Sequence, residues 1–473
     1  MGLHVKGDNG VKAVLKARYG RAFRTFTTLG DMRKGIKSLE RENVVVALDG
    51  NVLMMQVPKE AASFSAFVGI VTNAIRSAMG SARVVVVVFD EPAILSLAKR
   101  EEQMRRDATR TRTVPITSSD FKAYPTDDNF GMDELNGAPN CHDIVRCRAA
   151  RSRFFDEVGC QVLDRLKKTM LTWESSGFGS SAIVFDGLDP RGAGRPAGAM
   201  REPQIYGSDA EVSAMFEHGP EGEGDRKLAL IEQRVREIAL VPESDRPAFL
   251  KTPKLHCTVT IDTDSIAIEL LEKGRRAVEN PHLSSCVKGV LCMRERQNKR
   301  DSWDDDPGAV YCCLDYDLLY QMLQKDMWGM HREPSAADQR LAIALMVSGW
   351  ALSGCDFTSV KGLNANMIFD ALPSFVKTAP ACLALMENAW GGSREDVMAI
   401  VPALKRLVLL CAGNYSDQPR SRKATVQYLR EVGQGIVIEP LLRAAWVASY
   451  WSNNEQKGNL SDFGFCTLTS SGI

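Results

Sequence analysis

The chain has 473 residues, with 59 Lys and Arg against 59 Asp and Glu, so its formal net charge is zero. Hydrophobic residues make up 44% and charged residues 25%, which excludes a disordered chain, a collagen-like chain and a uniformly basic nucleic-acid coat. At about 150 residues per domain, the length admits roughly three domains or one large core carrying insertions. The zero balance leaves nucleic acid open as a partner, because the charge is unevenly spread. Residues 1–41 carry ten Lys and Arg against three acids, a local charge of +7.

Those basic residues run without an apolar h-region, so no signal peptide is expected. Val44–Leu48 and Val84–Phe89 are continuous apolar, β-branched runs, the pattern of central parallel strands covered on both faces. Between them Phe64, Phe67, Val68, Val71 and Ile75 follow helical spacing, which predicts a βαβ unit. Further strands are expected at Ala182–Phe185, Cys257–Ile261, Val290–Met293 and Val310–Leu314. Residues 101–146, 187–204, 217–227 and 297–308 are polar or rich in Gly and Pro, and read as surface insertions. From about residue 336 the chain is expected to be helical, with Ser393 and Asp396 forming a capping box.

Most of the 12 cysteines lie in apolar runs and none forms a Cys-x-x-Cys pair. They read as reduced, buried thiols in a reducing compartment. The uncharged stretch Leu341–Cys355 is shorter than the roughly 20 residues that span a bilayer. A soluble, intracellular protein is therefore expected.

The acids carry the chemistry. Asp49 follows the first strong strand and Asp90 the second, and ligand sites in parallel sheets form at the carboxyl ends of strands. A third predicted strand runs into Asp262 and Asp264, which share a face if the extended geometry persists. Asp264 can equally cap a helix over Ser265–Leu271. Asp209 and Glu211 open an apolar segment, where Ser208 with Glu211 also fits a capping box. Asp356 follows the long apolar helix. Seven acids gathered together repel unless divalent cations compensate them, and carboxylate oxygens select Mg²⁺ or Mn²⁺ rather than zinc.

In order, the series ALDGN, VFDEP…LAKR, SDAEVSA, IDTDS and GCDF…VKGL resembles the flap endonuclease family, the XPG-like structure-specific 5′-nucleases. The resemblance implies an α/β fold, a PIN-like nuclease domain with a mostly parallel central sheet flanked by helices. It adds a helix–three-turn–helix element and a C-terminal helical region. The implied organisation is a nuclease region over 1–100, a helical arch over 101–175, an internal nuclease region over 176–355 and the helical remainder over 356–473. Asp49, Asp90, Asp209, Glu211, Asp262, Asp264 and Asp356 would hold two Mg²⁺ ions, with Mn²⁺ able to substitute. Arg100 would draw the scissile phosphate towards them, with Lys99 its neighbour. Gly2, Arg105, Arg106, Lys361 and Gly362 would contact nucleic acid, and a K⁺ ion would sit at the helix–three-turn–helix turn.

The sequence departs from that pattern in places. Asn364 stands where the turn's second Gly is expected, and Asp209 where Glu is usual. The intervals Asp90 to Asp209 (119), Glu211 to Asp262 (51) and Asp264 to Asp356 (92) are expanded. Residues 457–465 carry a degenerate form of a sliding-clamp-binding tail. The implied activity is Mg²⁺-dependent cleavage of flap, branched or 5′-ended DNA in replication, repair or recombination. The implied location is the nucleus or another site of DNA replication, which for a viral protein would be a cytoplasmic factory. A non-catalytic scaffold and an RNA-directed nuclease on the same core are the alternatives. On the leading reading, an Asp262→Ala/Asp264→Ala variant is expected to lose Mg²⁺-dependent cleavage of 5′-flap DNA in a gel assay.

Overall fold

An apolar run can be buried along its whole length only if both of its faces are covered, because successive side chains point to opposite sides. In the computed structural model Val44–Leu48, Val84–Phe89 and Ala182–Phe185 meet that condition. The structure describes residues 10–37, 39–55, 57, 64–90, 141–146, 148–175, 182–186, 204–206, 222–245, 252–295, 310–329, 333–355, 357–387, 393–414 and 423–452. The described strands are β1 (Phe23–Phe26), β2 (Val44–Asp49), β3 (Val84–Val88), β4 (Ala182–Asp186), β5 (Gln204–Tyr206), β6 (Leu255–Thr260), β7 (Lys288–Glu295) and β8 (Val310–Asp315). They form one sheet in the order β1-β8-β7-β6-β2-β3-β4-β5. The pairs β2–β3, β2–β6, β3–β4 and β6–β7 are parallel, and β4–β5 is antiparallel. The fold is thus α/β with a mostly parallel mixed sheet.

The described α-helices are α1 (Val11–Arg18), α2 (Leu29–Lys37), α3 (Gly50–Met55), α4 (Phe64–Ser81), α5 (Cys141–Arg146), α6 (Arg148–Ser175), α7 (Gly224–Leu240), α8 (Asp264–Glu279) and α9 (Pro281–Cys286). They continue with α10 (Tyr316–Trp328), α11 (Ala336–Ser353), α12 (Ala365–Thr378), α13 (Pro380–Ala384), α14 (Arg394–Asn414), α15 (Lys423–Gln434) and α16 (Glu439–Ser452). The chain divides into two compact units. One comprises Arg24–Ile261 with Ser285–Leu314, and the other Met1–Phe23, Asp262–Ser284 and Asp315–Ile473.

In the sheet-bearing unit the two-residue alternation separates two cores. Val44, Val46 and Leu48 of β2, with Val85 and Val87 of β3, pack under α4 and α6 through Phe67, Val71, Phe154 and Val158. Val45, Ala47, Val84, Val86 and Val88 face the other way, against Leu228, Ile231, Val235 and Ile238 of α7. Phe154 meets Phe67 edge-on at 5.1 Å and Phe64 at 5.9 Å, which fixes α4 against α6.

In the other unit the uncharged run becomes α11, buried on every side from Leu341 to Ser353. A helix apolar all round needs partners all round, and its buried Trp350 ring lies 5.6 Å from Phe369 of α12. Ser335 and Asp338 close a capping box at its start. The predicted Ser393–Asp396 box is present too, with the Asp396 carboxylate accepting from the Ser393 amide and hydroxyl at 3.0 and 2.7 Å. No helix among the described residues is long and apolar enough to cross a membrane.

Residues 141–146, the end of an expected surface insertion, form α5, whose Cys141, Ile144 and Val145 join the core. Two further expectations are corrected. Residues 224–227 are not part of a surface insertion but the first turn of α7, in which Arg226 and Lys227 are buried. Gln204, placed at the end of another insertion, starts β5 beside β4. In both, polar composition concealed groups that find ionic or backbone partners only in the fold.

The described cysteines are free thiols, and Cys141, Cys257, Cys292, Cys312, Cys313, Cys355 and Cys411 are buried. Burial pushes the Cys141 thiol up to about 12. Burial also raises Cys292 well above the usual thiol range, reinforced by hydrogen bonding with Cys257 and Cys313. A raised value keeps a thiol protonated and unreactive. At about pH 8, where ordinary cysteines alkylate, Cys141, Cys292 and Cys411 are expected to resist iodoacetamide in the folded protein. After unfolding in guanidinium they should react, as read by peptide mass spectrometry.

Candidate functional site

β2 ends in Asp49 and β3 is followed by Phe89 and Asp90. The register sets Asp49 beside Val88, so both acids leave the sheet at its carboxyl end on neighbouring strands. Strands β3 and β4 add to one side of β2, whereas β6 and β7 add to the other. The strand order therefore reverses at β2, where open α/β sheets form a crevice at the carboxyl ends of their strands.

Asp49 is buried, yet each of its oxygens is engaged. Oδ1 accepts the Val52 amide at 3.0 Å, and Oδ2 accepts the Thr260 hydroxyl from the end of β6 at 3.2 Å. Asp49 thus serves the first turn of α3 as a cap while joining the ends of β2 and β6. Leu48, Asp49, Val259, Thr260 and Tyr311 are among the residues lining a cavity of about 20 Å³, room for roughly one water molecule. Gly50 is required beside Asp49 because a Cβ there would run into the buried Phe89 ring.

Asp90 joins a different element. Its Oδ1 accepts the Gly224 amide, the first residue of α7, at 2.9 Å. Glu223, buried at the N-cap of α7, is therefore brought next to Asp90 along the chain. One strand further, Asp186 ends β4 in register with Val88, and its carboxylate meets the Lys227 ammonium at 2.8 Å.

Neither Asp186 nor Glu223 was among the candidates from sequence, although both left a signal. Ala182–Asp186 (AIVFD) repeats the apolar-strand-then-acid pattern of ALD and VFD. Glu221-Gly-Glu223-Gly-Asp225 precedes an apolar helical run. The polarity of that stretch hid it.

The other unit holds Asp262 and Asp264, both buried. The extended geometry expected to align them ends at Thr260, because Thr263 is αR (φ −78°, ψ −17°). Asp262 Oδ1 instead accepts the Asp264 amide at 3.2 Å, and Asp264 is the first residue of α8 rather than its cap. Lys361 and Gly362 are exposed in the turn before α12. Gly362 has φ +88°, and a Cβ there would strike Thr425 of α15. Asn364 takes no left-handed conformation. It is extended (φ −144°, ψ 169°) and caps α12, its side chain accepting the Met367 amide at 3.1 Å.

Gly2, Lys99, Arg100, Arg105, Arg106, Asp209, Glu211 and Asp356 lie outside the described residues, as do residues 457–465. Among the described residues no three His, Cys, Asp or Glu side chains come together as a metal-binding group. The strand-end donors that are described, Asp49 and Asp90, are carboxylates, whose hard oxygens suit Mg²⁺ or Mn²⁺ in chemistry.

Neither a protein-family model nor a curated protein matches this sequence.

Gly50 gives this end of the sheet a direct test. A Gly50→Ala variant must displace the Phe89 ring, and overpacking of this kind costs about 1–3 kcal/mol. Urea denaturation should show a lowered midpoint with an unchanged slope.

Proposed function

We propose that this chain is a Mg²⁺-dependent nuclease hydrolysing phosphodiester bonds of flap, branched or 5′-ended DNA. The observation that carries the reading is the exit of Asp49 and Asp90 from adjacent parallel strands β2 and β3 at the sheet's carboxyl end, where the strand order reverses. The ordered acid series of the sequence supports it. Asp209, Glu211, Asp262, Asp264 and Asp356 complete the proposed ligand set, and Glu223, adjoining Gly224 on Asp90, joins them as a candidate. When bound, Mg²⁺ would supply activation of water and charge stabilisation at the leaving oxygen.

The chain's own residues have separate tasks. Asp49 and Asp90 hold hard oxygen donors at fixed positions, because amide and hydroxyl groups already orient them. Arg100 and Lys99 neutralise the scissile phosphate, and Arg105 and Arg106 extend that basic contact along the strand. Gly2 would contact the nucleic acid. The exposed Lys361–Gly362 turn before Asn-capped α12 contacts a duplex backbone, with K⁺ as its companion ion. Residues 457–465 would bind a sliding clamp.

A second reading, a catalytically inactive scaffold, is favoured by one observation. Both oxygens of Asp49 already serve groups of the fold, as in a purely structural cap. An RNA-directed nuclease would use the same donors.

The test is incubation with 5′-flap, nicked and blunt DNA and with single-stranded RNA, with and without Mg²⁺. Mg²⁺-dependent cleavage of the flap substrate is expected. An Asp90→Asn variant should lower kcat by about 10²–10³-fold, the scale for losing one group that stabilises transition-state charge. Absence of metal-dependent cleavage on every substrate would reject the enzyme in favour of the scaffold.

A further inference from the structure

Lys227 is a lysine with almost no access to water. Its side chain is 3% exposed and that of its partner Asp186 is 4% exposed, with Nζ 2.8 Å from Oδ1. Lysine is among the residues least often buried, and desolvating two charges offsets much of their attraction. A pair of apolar side chains would hold a helix on a sheet as well as this pair does. The pair differs from apolar packing in being directional, and its geometry shows what it directs.

Gly224 and Lys227 both belong to the first turn of α7. Gly224 donates its amide to Asp90 at the end of β3, and Lys227 reaches Asp186 at the end of β4. These strands are neighbours, and the Asp186 carbonyl accepts the Phe89 amide at 2.8 Å, one residue before Asp90. The first turn of α7 is therefore pinned at two points to two adjacent strand ends. Apolar contacts of Leu228, Ile231 and Val235, which by themselves tolerate sliding, and the Arg236 bond to the Val287 carbonyl hold the rest of the helix. The ion pair sets the height of the turn.

We propose that Lys227 is a positioning residue. Through Asp186 it holds the first turn of α7 so that the Gly224 amide fixes the Asp90 carboxylate and Glu223 stays beside it. The inference rests on the reading of Asp90 as a metal ligand. Groups that orient a ligand in this way are worth about 10–100-fold in metal affinity when removed.

The test uses the full chain and two kinds of variant. Lys227→Met alone would strand a buried carboxylate, so it is paired as D186V/K227M, which replaces the ion pair by apolar side chains. Gly224→Pro removes the amide donor and sets its ring against the Asp90 carboxylate, at a first helical position where proline is favourable. Lys227→Arg keeps the charge.

Calorimetry of Mn²⁺ binding and hydrogen exchange of the peptide covering residues 223–228 are the readouts, with thermal unfolding as the folding control. D186V/K227M is expected to unfold cooperatively, lose protection in that peptide and bind Mn²⁺ about tenfold more weakly. Its kcat should fall while KM stays unchanged. Gly224→Pro should reproduce the weaker binding with the ion pair intact, and Lys227→Arg should restore wild-type values. Wild-type protection and affinity in folded D186V/K227M, or wild-type affinity in Gly224→Pro, would overturn the proposal. Failure of the wild-type protein to bind Mn²⁺ would instead remove the nuclease reading, while the exchange measurement would still decide the docking of α7.

Discussion

The burial of the central strands on both faces is the constraint on which the rest depends. β2, β3, β4 and β6 are buried from end to end. A carboxylate inside such a strand would face one of two apolar cores, where an unpaired charge is prohibitively costly. Acids can therefore appear only where a strand ends, and Asp49, Asp90 and Asp186 do so. Parallel pairing then brings all three to the same end of the sheet, because adjacent parallel strands finish side by side. Their grouping follows from the burial of the strands that precede them.

The same logic governs the charges of α7. This helix covers one face of the sheet with Leu228, Ile231, Val235 and Ile238, yet also buries Lys227, Glu232 and Arg236. Arg236 meets Glu232 at 2.6 Å and donates to the Val287 carbonyl at 2.6 Å, and Lys227 meets Asp186. Buried charges of this kind stabilise little against an apolar alternative, but removing one partner is severe. They limit α7 to one orientation on the sheet. Apolar packing makes it a core helix, while its polar contacts make its first turn part of the acidic end.

How much of this was legible depended on whether a signal was local. Val44–Leu48, Val84–Phe89 and Phe64–Ile75 announce themselves, since periodicity and β-branching are properties of a few consecutive residues. So does the Ser393–Asp396 capping box. The strand alternation that would align Asp262 and Asp264 ends at Thr260, and the backbone is helical by Thr263. Asn364, where the turn's second Gly was expected, is a helix cap: its backbone is extended and its side chain accepts the Met367 amide. The start of α7 was unreadable because Glu223, Arg226 and Lys227 look solvated until their partners are known. Lys227 finds Asp186 41 positions away, a pairing no local window contains.

By itself the sequence determined the α/β class, the apolar strands with acids at their ends, and the uncharged run that forms a buried helix. These are dictated by side-chain chemistry repeated at fixed spacing, which acts before any long-range contact exists. Only the tertiary structure decided that β6 lies beside β2, so that Thr260 meets Asp49, and that α7 begins on Asp90. It also decided that Lys227 and Asp186, ordinary charged residues in the sequence, become a buried pair. The reason is that desolvation and pairing are properties of the surroundings a residue ends in. Those surroundings are built by segments far apart along the chain.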